Sequence, residues 1–407
     1  MALLMQPDGA VPRRRLSRAR FRRANLICRS MIFTIERTAL LRSLGHVQSV
    51  VERRNTIPIL SNVLIRAADG MLSLTATDMD LEVVENVAAE VTVPGAVTAA
   101  AHTLYDIVRK LPDGAQVRIE GSADGTLIHL RSDRSQFRLG CLPVEDFPQL
   151  AVGDFPHSFA IAAADLRLLI DRSRFAISTE ETRYYLNGIY VHAAFTRTPQ
   201  GDEVETLRAV ATDGHRLARV EVSLPADAAG IPGIIIPRKT VNEVRKLIDE
   251  AVDQIQVSVS QQKVRFAFDQ VAVVSKLIDG MFPDYERVIP AGNDKVLEVN
   301  TRALAVAVDR VATISTEKTR AVKLAVRPGM VTLSVNSPEA GSAQEEVEAQ
   351  YQQTPLEIGF NSRYLLDITQ QIEGAVVSLT MADAAAPTII RDVADLSALY
   401  VLMPMRV

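Results

Sequence analysis

Cysteine is nearly absent from this chain: Cys28 and Cys141 are the only two among 407 residues. Because Cys28 lies in an atypical N-terminal stretch, neither a disulfide framework nor a four-ligand zinc site is available. A reducing cytoplasm is the expected setting. No apolar run approaches the roughly 20 residues that a membrane-spanning helix needs, so no membrane association is expected. Also missing are a glycine-rich phosphate loop and a nucleophile elbow, the signatures of two large enzyme classes. What is present is ordinary for a globular protein, with 47% hydrophobic and 23% charged residues.

The first thirty residues stand apart. They carry eight arginines (13, 14, 15, 18, 20, 22, 23 and 29) against the single acid Asp8. No apolar stretch follows Arg13-Arg14-Arg15, which argues against a secretory signal. Residues 1–30 are expected to be a disordered basic leader upstream of a start at Met31, where Met31-Ile32-Phe33-Thr34-Ile35 begins a strand-like alternation. A nucleic-acid-binding arm is the alternative. The whole chain has 45 basic and 49 acidic residues, and without the leader the body is left with 37 and 48, a net of −11. Taken alone, that balance argues against a nucleic-acid partner.

The body repeats itself. Ser178-Thr179-Glu180-Glu181-Thr182-Arg183 returns 137 positions later as Ser315-Thr316-Glu317-Lys318-Thr319-Arg320, a period that implies copied whole domains. Leu40, Leu44 and Val47, then Leu166, Leu169 and Ile170, then Leu304, Val308 and Val311 form apolar stripes at helical spacing. A second kind of helix is expected at Leu104 to Leu111, Val241 to Ile248 and Tyr364 to Ile372. Period-two alternation follows each, at Val117 and Ile119, at Ile255, Val257 and Val259, and at Val377, Leu379 and Met381, as half-buried strands require. The expectation is an α+β protein of three similar domains, each with two helices packed on antiparallel sheet. Phe147-Pro148 and Phe282-Pro283 place the domains at 31–150, 151–284 and 285–407.

Stacked domains of this kind leave strand edges open at both ends, and head-to-tail pairing with a second chain would close them into a ring of pseudo-sixfold symmetry. The six helical segments sum to +4 and the rest of the body to −15. A basic helical lining inside an acidic outer sheet would suit a threaded polyanion, held without sequence information. Solvated helix faces would give the same charges.

Four separated motifs carry a family resemblance. Tyr184-Tyr185-Leu186-Asn187-Gly188, Ala211-Thr212-Asp213-Gly214-His215-Arg216-Leu217-Ala218, the run from Ser275 to Tyr285 and the ending Met403-Pro404-Met405-Arg406-Val407 resemble the bacterial DNA polymerase III β subunit family, the sliding clamps. The match runs from Met31 to Val407, with an insertion around residues 196–205. The resemblance implies a non-catalytic processivity factor without cofactor or metal. Two chains would form a head-to-tail ring around duplex DNA. The ring would tether the DNA polymerase III α subunit, the clamp loader, and other polymerases and repair proteins through a short clamp-binding peptide.

By resemblance the DNA-facing positions are Arg54, His102, Glu180, Arg183, Tyr184, Tyr185 and Lys239. His102 stands where the family commonly has arginine, and Glu180 where it has glutamine. The partner-peptide cleft is implied at Leu186, Thr212, Gly214, His215, Arg216, Leu217, Pro283, Arg287, Val288, Pro387, Val401, Met403, Pro404, Met405 and Arg406, with Pro387 replacing a small polar residue. Methionine adapts to several ligands and glycine admits a peptide close to backbone. The subunit contact is implied where Phe137 and Leu139 meet Ile314. Two alternatives stay open on the residues alone: a hydrolase built on Asp213 and His215 with Ser275 or Thr212, and a protein-interaction scaffold that never meets DNA.

Overall fold

In the computed structural model, residues 31–150, 153–197, 201–249, 253–315 and 320–406 are described. The basic leader and residues 316–319, the middle of the second repeat copy, lie outside them. The six helices form where the apolar stripes place them. They are α1 (Arg37–Gln48), α2 (Ala101–Arg109), α3 (Ala163–Asp171), α4 (Arg238–Ile248), α5 (Thr301–Ala312) and α6 (Ser362–Thr369). Helices pack in pairs, α1 on α2, α3 on α4 and α5 on α6, with strands beneath. Leu40, Leu44 and Val47 of α1 and Leu304, Val308 and Val311 of α5 are buried to 2% exposure or less, so the stripe faces inward as expected. Each such side chain contributes about 1.5–3 kcal/mol by leaving water. Side-chain oxygens of Glu36, Asn300 and Asn361 accept the first free amides of α1, α5 and α6.

The sheets run through the domain junctions. Strand Leu81–Ala88 of the first domain pairs antiparallel with Val271–Lys276 of the second, from Leu81 opposite Ser275 to Glu85 opposite Val271. Strand Arg216–Ser223 of the second pairs with Ala398–Leu402 of the third in the same manner, from Arg216 opposite Leu402 to Val220 opposite Ala398. Sheets of five, eight and twelve strands result. Of the strands left with an unpaired side among the described residues, two lie at the outer ends of the three-domain array. Strand Ser135–Gly140 has a partner on one side only, and so does the first part of Gly341–Gln350.

Strands Gly188–Arg197 and Glu203–Thr212, where the insertion is expected, form a hairpin in register from Tyr190 opposite Val210 to Arg197 opposite Glu203. No helix among the described residues is long and apolar enough to cross a membrane.

Candidate functional site

A cavity of about 260 Å³ opens where the second domain meets the third. One wall is the turn from Thr212 to Leu217, which leads into the strand that crosses the junction. Its shape is fixed by side chains. Thr212 Oγ1 accepts from Gly214 N at 3.1 Å, and Asp213 Oδ1 accepts from His215 N and Arg216 N at 2.9 and 3.0 Å. Gly214 has φ +87°, and a Cβ there would lie 2.5 Å from a guanidinium nitrogen of Arg183. Glycine is therefore favoured twice, by the left-handed backbone and because an added Cβ would have to push the Arg183 side chain aside. Leu186, Leu217 and Val401 form the apolar base, and Pro283, Val288 and Met403 the outer rim.

Arg216 belongs to the scaffold of this cleft. Its guanidinium donates to Asp367 Oδ2 at 2.5 Å, Phe175 O at 2.7 Å and Asp213 Oδ2 at 3.1 Å, and lies 4.4 Å from the Tyr364 ring centre. With its side chain 9% exposed, it pins the second domain to α6 of the third. The other implied positions do not line the cavity. His215 is exposed and stacks on Tyr364, Arg287 is exposed and pairs with Asp284 at 2.7 Å, and the Pro387 carbonyl accepts from Asn293 at 2.9 Å. Pro404 and Met405 are half-buried behind Met403, with Met405 N bonded to Gly359 O, and Arg406 is exposed.

The seven positions expected to face DNA fall into two groups. Arg54, His102 and Lys239 gather around the segment after α1, at the junction of the first two domains. His102 Nε2–H donates to Val51 O at 2.9 Å, and Lys239 Nζ donates to Val50 O, Glu52 and Asp78. Burial opposes the Lys239 charge, but the hydrogen bonds it donates to Asp78 and Glu52 outweigh it and raise its pKa. Arg54 is exposed and carries no ion pair among the described residues. Glu180, Arg183, Tyr184 and Tyr185 gather at the other junction. Arg183 pairs with Glu180 at 2.7 Å, and the pairing holds the Glu180 carboxyl below its usual range. Arg183 and Tyr185 line the cavity between the second and third domains, while Tyr184 is 53% exposed beside them.

The charge reading needs correction. Arg172, which counted toward a basic helical face, is buried and pinned to Asp395 across the domain junction. Arg245 is held by Asp171 and Asp249, and Arg109, Arg167, Arg174, Lys246 and Arg310 have carboxylate partners as well. Lys110, Arg238, Arg302 and Arg363 are exposed without an ion pair among the described residues. Formal charge on helices thus overstates the field they project.

The hydrolase alternative has no geometry behind it. Asp213 binds backbone amides and Arg216, Ser275 is 1% exposed with its hydroxyl shared with Thr240, and the His215 ring lies on Tyr364. Sequence reading missed a polar cluster behind the cleft, where buried Arg208 meets Tyr285, Glu286, Glu221 and, through Tyr285, His192. Only Tyr285 lay in a motif, because the others are joined across strands and not along the chain.

Comparison with known proteins gives one answer along the whole body. Residues 31–151, 160–284 and 286–406 match the N-terminal, central and C-terminal domain families of the DNA polymerase III beta subunit. A beta sliding clamp of Caulobacter vibrioides is 55% identical over 377 residues, covering 93% of this chain and 100% of the relative. That of Escherichia coli K12 is 38% identical over 381 residues, covering 92% and 100%. A crystal structure of the Caulobacter crescentus clamp superimposes with a TM-score of 0.90 at 54% identity, and one of the Bartonella birtlesii clamp bound to griselimycin with 0.89 at 49%. Both cover 93% of this chain and 100% of their own. The chain therefore belongs to the DNA polymerase III beta subunit family, the bacterial beta sliding clamps, non-catalytic processivity subunits of the replicative polymerase.

Proposed function

We propose that two copies of this chain close head-to-tail into a ring around duplex DNA and hold the polymerase and its accessory proteins by short peptides seated in the cleft at Leu186, Leu217, Val401 and Met403. The observation that carries the ring is the matching of edges. Strand Ser135–Gly140 corresponds in its domain to Val271–Lys276 and Ala398–Leu402, and the start of Gly341–Gln350 corresponds to Leu81–Ala88 and Arg216–Ser223. Pairing the two open edges would repeat a junction the chain already makes twice. Arg134 and Arg138 lie on or beside one edge, and Glu346 and Glu348 lie on the other. Phe137 and Leu139 on one side and Ile314 on the other are half-buried hydrophobics awaiting cover.

In such a ring Arg54, His102, Glu180, Arg183, Tyr184, Tyr185 and Lys239 lie toward DNA, with the exposed helix cations supplying a loose, salt-screened hold. Topology does the rest. Burial and the nearby Asp124 charge push the Cys141 thiol up to about 11, which leaves it unreactive. The test is retention at high salt: the ring should stay on circular DNA after loading and leave it once the DNA is linearised. Equal loss from both would overturn the encircling reading and favour a scaffold.

A further inference from the structure

The connector between the second and third domains, residues 277–290, clusters through Phe282 and Tyr285 with Val210, Leu217, Ile235 and Leu399 of the twelve-stranded sheet, apart from the helix-covered core, and supplies Pro283 and Val288 to the cleft. It is fastened at several points. Ile278 N donates to Ile235 O at 3.0 Å, and Gly280 packs so closely on Tyr185 that a Cβ would lie 3.1 Å from that side chain. Phe282 stacks on Tyr190 at 4.9 Å with planes 9° apart, and Tyr190 stacks in turn on His192 at 4.7 Å. The last anchor is polar and buried. Arg208, 3% exposed, donates to the Tyr285 hydroxyl and to Glu286 Oε1, both at 2.7 Å, while its Nε pairs with Glu221 at 2.8 Å.

Donor and acceptor roles in this cluster have one consistent solution. His192 Nδ1–H donates to Ala193 O at 2.9 Å, which leaves Nε2 to accept from the Tyr285 hydroxyl at 3.0 Å, and that hydroxyl accepts from Arg208. Tyr285 lies two residues beyond Pro283 and three before Val288, so its seat sets where both cleft residues stand.

We propose that Arg208 and Tyr285 are positioning residues for the cleft, fixing the connector so that its Pro283 and Val288 wall is preformed for the partner peptide. The proposal rests on reading the cleft as the peptide site. A wall seated only part of the time lowers apparent affinity by the seated fraction. Griselimycin is the probe, and three variants test the idea. Tyr285→Phe keeps the ring but loses both hydroxyl bonds, and Arg208→Lys keeps the charge but loses the fork that reaches Tyr285. Each should weaken griselimycin binding by roughly tenfold, and the double variant should lose clearly less than the two losses combined, because both remove the Arg208–Tyr285 bond. Hydrogen exchange across 277–290 should quicken while the dimer mass stays unchanged. Unchanged affinity with a loosened connector would overturn the proposal, as would losses that add in the double variant. Met403→Glu, on the opposite rim, separates the two levels. If it too leaves griselimycin binding intact, the cleft reading itself fails.

Discussion

Replacing Ile314 by aspartate tests the ring at its seam. Ile314 follows α5, whose Arg310 reaches Glu345 on the open strand Gly341–Gln350 at 3.2 Å, so the new charge would stand beside an acidic edge. Hiding the remaining half of an isoleucine is worth on the order of 1 kcal/mol at 25 cal/mol per Å². An unpaired carboxylate forced into the same dry contact costs about 3 kcal/mol more. A ring has two seams, so the dimer should lose about 8 kcal/mol, roughly a millionfold in its dissociation constant. Sedimentation at about 10 μM should then show single chains of 44.5 kDa that melt within a few degrees of the parent. A dimer that persists in Ile314→Asp would refute both the seam and the edge matching from which it was drawn.

Two further outcomes follow from the cleft and the cluster behind it. Gly214→Ala places a Cβ at φ +87° against Arg183, so it should cost about 1 kcal/mol of stability and weaken peptide binding by displacing Arg183, as calorimetry would show. Burial and the Arg208 charge push His192 below its usual 6.5 despite the hydrogen bond to Ala193 and the nearby Glu286 and Glu221. As pH falls below 6.5 the unfolded chain takes up this proton first, so stability drops until the lowered folded pKa is reached. Melting temperature should therefore fall more steeply from pH 7 to pH 5 in the parent than in His192→Gln, and parallel curves would contradict that assignment.

Periodicity exposed the helices because each stripe is local: Leu304, Val308 and Val311 lie within two turns and face one core. The repeat exposed the domains for the same reason, since copied residues sit at a fixed offset. Lys239 behaves differently. Its partners Asp78 and Glu52 are 161 and 187 positions away, so nothing near it in the chain marks it as a clip between domains. Arg216 and Asp367 are 151 apart. Arginines that look like free surface charge in a sum are taken up by carboxylates brought from other domains, and that exchange was invisible until the junctions were built. The cleft was legible through resemblance, yet the division of labour within it was not. Arg183 and Tyr185 serve its wall as well as the face expected to meet DNA.

The two junctions share a copied turn but differ in the lining beside it. Thr77 Oγ1 accepts from Met79 N, and Asp78 Oδ1 accepts from Asp80 N and Leu81 N, the same pattern as Thr212 and Asp213. Met79 even keeps the left-handed backbone, at φ +79°, that Gly214 adopts at +87°. A cavity of about 370 Å³ lies beside the first turn as well. Its lining has diverged: Asp78 pairs with Lys239 and Asp80 with Lys276, where the later junction presents Leu186, Val401 and Met403. An apolar side chain entering there would strip water from two ion pairs and return nothing to them. Griselimycin should accordingly bind with a stoichiometry of one per chain in titration calorimetry. Two per chain would mean that the ion pairs at the first junction do not close it.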